Sequence, residues 1–140
     1  MKIIRENALV IAWVTSLAAM AGSLYFSNVL HFPPCILCWY QRIAMYPLVA
    51  ILAVGLMRKD RNVPYYALPL TIIGGLIAVF HNLLYYKILP ESAAPCTAGV
   101  SCTTKFIEYF GFITIPFLSF VAFGVITACM MVILKSKKNV

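Results

Sequence analysis

Four stretches of the chain are apolar on every side, and short polar or basic segments separate them. The first runs from Ala8 to about Leu30 without a charged residue, and Lys2, Arg5 and Glu6 precede it. A cleavable signal peptide is one reading of that stretch, since Ala19-Met20-Ala21 resembles a small-residue cleavage site. The apolar character persists through Leu24, Tyr25 and Phe26, however, beyond the length of a signal-peptide core, and predicts a first membrane helix. A second span is expected over about 35–57, a third over about 65–86 and a fourth over about 111–134. Pro47 inside the second should kink it or free a carbonyl, which a membrane bundle tolerates where a neighbour satisfies the backbone. Tyr65, Tyr66, Tyr85 and Tyr86 sit like aromatic belts at the ends of the third, and Gly74-Gly75 would permit a close helix crossing. Pro116 falls in the early turns of the fourth.

Composition agrees with this pattern. Of 140 residues, 63% are hydrophobic and 11% charged, too apolar for a surface that meets water everywhere. The fold class expected is all-α, an integral membrane four-helix bundle forming a single unit over 1–140, with no repeat and no separate domain. A formal charge of +7 could point to nucleic acid, but the basic residues lie in short clusters between the spans, and topology accounts for them without a nucleic-acid partner. Lys2, Arg5, Arg58, Lys59, Arg61, Lys135, Lys137 and Lys138 fall on one side, while only Arg42, Lys87 and Lys105 fall on the other. The positive-inside rule then places both termini in the cytoplasm and the loops 31–34 and 87–110 outside. Within the outer connection, Lys105-Phe106-Ile107-Glu108-Tyr109-Phe110 is expected to lie along the interface.

That orientation brings Cys35, Cys38, Cys96 and Cys102 to the outer surface, where thiols meet oxidising conditions. Cys129 lies roughly 27 Å below the start of the fourth span at 1.5 Å per residue, out of reach of the others, and reads as a small buried apolar residue. The prolines at 33 and 34 leave a helix free to begin at or just after Cys35. Thiols there meet unpaired backbone N–H groups and the positive end of the helix dipole, which favours thiolate. Cys38 and Arg42, four apart, share a helix face, and a permanent cation at that distance would stabilise a thiolate or a reduced, anionic acceptor. An arginine one turn into a membrane helix also commonly snorkels to the headgroups.

Two structural disulfides are one account of the four outer cysteines. A Cys-x-x-Cys bridge constrains little, and a bridge from Cys96 to Cys102 closes a short loop worth roughly 2 kcal/mol in the chain-entropy model. Spacing and topology therefore favour bridges that open and close in redox exchange. A four-thiolate zinc site stays open as a rival. His81, about one turn from the outer end of the third span, could face Arg42 and the thiols or serve as a hydrogen-bonded packing residue. Asn82, Tyr85 and Gln41 are weaker candidates. An exporter of similar size would need an ionisable group within the bundle, and no span interior holds Asp or Glu.

Cys35-Ile36-Leu37-Cys38-Trp39-Tyr40-Gln41-Arg42 at the head of the second of four spans, with a further cysteine pair in the second outer loop, resembles the DsbB-type disulfide-bond formation proteins. The short chain and Gly111-Phe112-Ile113-Thr114-Ile115-Pro116-Phe117 are most similar to the BdbC branch. The resemblance implies a dithiol:quinone oxidoreductase of the bacterial plasma membrane that reoxidises a secreted or membrane-anchored thioredoxin-like thiol oxidase. It implies disulfides Cys35–Cys38 and Cys96–Cys102, with the second pair exchanging with the partner and the first delivering electrons to ubiquinone or menaquinone. Arg42 would line the quinone pocket with His81 near it, and no metal would be needed. Longer members space their loop cysteines more widely, so a smaller loop excursion is expected here. Vitamin K epoxide reductase relatives resemble the arrangement too, but with the two cysteine pairs in the opposite order along the chain.

Overall fold

The computed structural model describes residues 2–31, 36–90, 92 and 115–139. Among them are four helices, α1 (Lys2–Asn28), α2 (Ile36–Arg58), α3 (Val63–Tyr85) and α4 (Ile115–Lys138), and no strand. Each is long and apolar enough to cross a membrane, because 23 residues reach about 35 Å at 1.5 Å per residue and the hydrocarbon core is about 30 Å thick. In such a solvent a helix is the economical solution, since it satisfies its own backbone groups. The helix ends do not coincide with the ends of the apolar runs. Helix α1 begins at Lys2 rather than about residue 8, and α4 continues to Lys138 rather than about 134. Hydropathy marks the part of a helix that meets hydrocarbon, whereas backbone hydrogen bonding carries on into the polar flank. Helix α2 runs unbroken through Pro47. The interfacial segment expected at Lys105–Phe110 lies outside the described residues.

The helices pack in a ring, α1 against α2 and α4, and α3 against α2 and α4. Side-chain contacts fix their directions. Arg42, early in α2, reaches Ser23 and Ser27, late in α1. Gln41 meets His81, late in α3, and Asn82 binds the carbonyl of Pro116, early in α4. At the opposite end, Lys137 donates to Asn62 Oδ1 at 2.9 Å and lies 4.9 Å from the centre of the Tyr65 ring. Successive helices are therefore antiparallel, and both termini lie at one end of the bundle. The other end gathers the close of α1, the opening of α2, the close of α3 and the opening of α4.

The main core is aliphatic and aromatic, with Leu48, Leu52, Phe123, Ile126 and Met130 fully buried. Large apolar residues such as Ile43, Met57 and Leu76 point outward, as expected of helices that are apolar all round and face lipid. Gly74 is a point of close approach between α3 and α4: a Cβ built on it would fall on the edge of the Phe123 ring. Gly55 plays the same part in the α2–α3 hairpin, where a Cβ would meet Val63 Cγ2.

Helices α2 and α3 end alike. The N–H of Asp60 donates to the carbonyl of Gly55 and that of Lys59 to Leu56, while Ile88 donates to Leu83 and Lys87 to Leu84. These paired bonds are Schellman caps. Each puts a lysine in the left-handed region, Lys59 at φ 52° and Lys87 at φ 59°, where glycine is the usual occupant. The aromatic belt loses one member: Tyr65, Tyr66 and Tyr86 are exposed, but Tyr85 is only 4% exposed. One residue advances a helix by 100°, which turns Tyr85 into the bundle as Tyr86 turns out.

Candidate functional site

Helix α2 opens at Ile36, so Cys38 stands in its first turn. That turn holds backbone N–H groups with no acceptor inside the helix and the positive end of the dipole. Cys38 is half-buried and packs against an apolar cluster built on Leu37 and Leu84, with Ile77, Phe80 and Leu89 around it. The cluster joins the opening of α2 to α3 and the turn after it, so Cys38 sits at that seam. Cys35, Cys96 and Cys102 lie outside the described residues.

Arg42 follows one turn later, and residues at this spacing stand about 5–6 Å apart at Cβ. Its guanidinium is tied to α1. One nitrogen donates to the Ser23 carbonyl at 3.1 Å and to Ser27 Oγ, and the group lies 5.3 Å from the centre of the Trp39 ring, within cation–π range. All three partners are neutral. Among the described residues no carboxylate pairs with Arg42, and its guanidinium is oriented by hydrogen bonds.

His81 and Gln41 form a second polar contact at this end. His81 is 3% exposed and Gln41 6%, and Gln41 Nε2 stands 3.2 Å from His81 Nδ1. The residue beside Arg42 in sequence thus meets the histidine, while Arg42 itself turns toward α1. Asn82, next on α3, turns the other way. Its amide nitrogen donates to the Ala78 carbonyl at 2.8 Å and to the Pro116 carbonyl at 3.0 Å, which anchors the first turn of α4. Because both contacts are carbonyls, the amide orientation is fixed, and Oδ1 is left buried without a donor. Cys129 is half-buried on α4, where it packs against the main core and carries no bridge.

The sequence pattern marked Cys38, Arg42 and His81 for one end of the bundle, and the fold places them there. It also adds Ser23, Ser27 and Trp39, which were not singled out as functional. Ser23 contributes only its backbone carbonyl, which no residue type signals, and Ser27 alone offers a side-chain acceptor. Trp39 stands three residues before Arg42, on the adjoining turn. Beside these groups Trp39, Tyr40 and Ile43 are exposed on the outer surface of α2. The ensemble joins a thiol, a cation held by neutral groups, buried hydrogen-bonding groups and an apolar wall open toward lipid. Among the described residues no three His, Cys, Asp or Glu side chains are grouped to hold a metal ion.

The family model described as disulfide bond formation protein DsbB matches residues 5–133. The chain is 46% identical over 132 residues to the probable disulfide formation protein C of Halalkalibacterium halodurans, covering 94% of this chain and 96% of that one. It is 47% identical over 128 residues to the disulfide bond formation protein C of Bacillus subtilis, covering 91% and 92%. With the probable disulfide formation protein C 2 of Bacillus anthracis the identity is 50% over 124 residues, covering 88% and 87%. No solved structure matches the chain.

Proposed function

The chain belongs to the DsbB family of disulfide bond formation proteins, and on that premise we propose that it oxidises a thioredoxin-like dithiol outside the plasma membrane and passes the electrons to a membrane quinone. It works as one membrane unit over 1–140, with both termini cytoplasmic and the loops 31–34 and 87–110 on the outer face. The observation that carries the quinone reading is Arg42, held one turn from Cys38 by partners that, among the described residues, are all neutral. A cation oriented by neutral groups in an apolar setting attracts negative charge that arises during a reaction.

The residues present fit a quinone. Its ring needs apolar contact, which the partly buried Ile77, Phe80 and Leu89 offer around Leu37 and Leu84, and its oxygens need donors, which the Arg42 guanidinium and the His81 imidazole carry. The exposed outer surface of α2 at Trp39, Tyr40 and Ile43 gives entry from the lipid side. When bound, the quinone supplies an acceptor for two electrons and two protons.

The sulfur chemistry follows from exchange. A partner thiolate attacks one sulfur of the Cys96–Cys102 bridge, forming a mixed disulfide and releasing the other sulfur as thiolate. The partner's second thiol displaces the loop sulfur, which leaves the partner oxidised and Cys96 and Cys102 reduced. A loop thiolate then attacks the Cys35–Cys38 bridge, and a second exchange moves the electron pair onto those two sulfurs. Negative charge on Cys38 meets the dipole of α2 and the guanidinium of Arg42, while the cluster around Leu37 and Leu84 excludes water. Cys35, the residue before α2 in sequence, takes the exchange with the loop.

The test is anaerobic. Purified protein is mixed with a reduced thioredoxin-like oxidase and, separately, with soluble analogues of ubiquinone and menaquinone, and quinol is followed by absorbance. Catalytic quinol formation with at least one analogue, abolished in Cys35→Ser, is the expected result. Turnover that persists in Cys35→Ser, or no quinol from either analogue, overturns the proposal.

A further inference from the structure

The contact between Gln41 and His81 carries information about where a proton sits. The side-chain nitrogen of glutamine only donates, and a ring nitrogen that faces it must accept. Gln41 Nε2 stands 3.2 Å from His81 Nδ1; with the amide nitrogen as the donor, that contact calls for a bare Nδ1 and, in the neutral ring, a proton on Nε2. Both side chains are over nine-tenths buried, so water does not compete for the contact from bulk, and leaving either partner unmet would cost about 1–3 kcal/mol.

The position of Gln41 on α2 suggests why an amide stands there. Leu37, Ala44, Met45 and Leu48 line the buried side of the same helix and are all apolar. A leucine or methionine at 41 would suit that stripe by packing alone. An amide there gives the buried His81 a hydrogen-bond partner that neither would supply, and its nitrogen is the atom that faces the ring. Arg42, the nearest cation in sequence, has its guanidinium engaged with α1 and Trp39.

We propose that Gln41 is a positioning residue that locks His81 in the Nε2–H tautomer, so that the ring offers a hydrogen to a quinone oxygen rather than a lone pair. A quinone oxygen accepts and cannot donate, and the opposite tautomer would set two acceptors against each other. The purpose rests on the quinone reading above, but the tautomer does not, and it can be measured without quinone.

The experiment uses full-length oxidised protein labelled with 15N-histidine in detergent micelles, free of quinone. His81→Gln identifies the resonances of His81 against those of His31. Wild type is expected to show Nε2 protonated and Nδ1 bare. In Gln41→Glu the donor becomes a carboxylate acceptor, and the proton should move to Nδ1. Gln41→Met, similar in size but unable to donate, should populate both tautomers. A protonated Nδ1 in wild type, or an unchanged tautomer in both Gln41 variants, overturns the positioning role. The same variants are then titrated with the quinone analogue that wild type reduces. Gln41→Glu is expected to raise the KM for quinone at least tenfold with a smaller change in kcat. A reversed tautomer with an unchanged KM overturns the link to quinone. If wild type reduces no quinone while the tautomer is as stated, the quinone reading fails and the hydrogen-bond assignment survives.

Discussion

Substituting alanine at Gly74 adds one methyl group, and the surroundings decide what it does. The new Cβ would fall on Cε1 and Cζ of Phe123, a ring that is 1% exposed and enclosed by the main core. The ring is rigid and hemmed in, so α3 and α4 must separate or the ring must leave its rotamer, and overpacking of this kind costs about 1–3 kcal/mol. That corresponds to roughly a 5- to 150-fold loss in the folded-to-unfolded ratio. Gly75→Ala is the internal control. Its Cβ would meet only Phe123 Cβ, at 3.8 Å, an ordinary contact, and alanine favours helix over glycine by about 1 kcal/mol. The adjacent substitution should therefore be neutral or stabilising. Phe123→Leu removes the ring edge, so the double variant Gly74→Ala, Phe123→Leu should lose less than the sum of the two single losses, with a coupling of about 1 kcal/mol or more. Denaturant-induced unfolding in mixed micelles, followed by tryptophan fluorescence, reads all four proteins. Equal behaviour of Gly74→Ala and Gly75→Ala, or additive losses in the double variant, would refute the close crossing. The crossing also bears on the site, because Asn82 holds Pro116 about 12 Å further along α3 at 1.5 Å per residue, and a wedge at residue 74 loosens that contact.

Arg42→Lys keeps the charge but gives up the planar group that joins Ser23, Ser27 and Trp39; the quinone KM should rise about tenfold, by one charge-assisted hydrogen bond, and an unchanged titration would argue against the pocket. Ser27→Ala removes one of those acceptors and should act in the same direction with a smaller effect in the same assay. Lys87→Gly relieves a left-handed residue at the cap of α3 and is expected to stabilise the protein by about 1 kcal/mol, read as a raised unfolding midpoint. Cys96→Ser should stop oxidation of the protein partner while sparing the exchange of a small dithiol with the Cys35–Cys38 pair, measured as quinol formed from dithiothreitol; loss of both reactions would show that the two cysteine pairs do not divide the work.

Much of this protein could be read along one dimension. Whether a segment crosses the membrane depends on its own length and polarity against a fixed hydrocarbon thickness, and four such segments are evident without any knowledge of their neighbours. The motif from Cys35 to Arg42 was legible for the same reason, since a helix start and an i, i+4 spacing are local. The pairing of helices depends instead on rotation about each axis, and here the sequence was silent because the spans are apolar all round and no polar face reveals which side turns inward. Gln41 and Arg42 are neighbours in sequence, yet 100° of helix sends one to His81 on α3 and the other to Ser23 and Ser27 on α1. Tyr85 and Tyr86 part in the same way, one into the bundle and one out of it. Local hydropathy determined what spans the membrane; only the packed bundle decided which polar groups meet, because a buried polar contact exists when two rotations agree and neither helix specifies the other's.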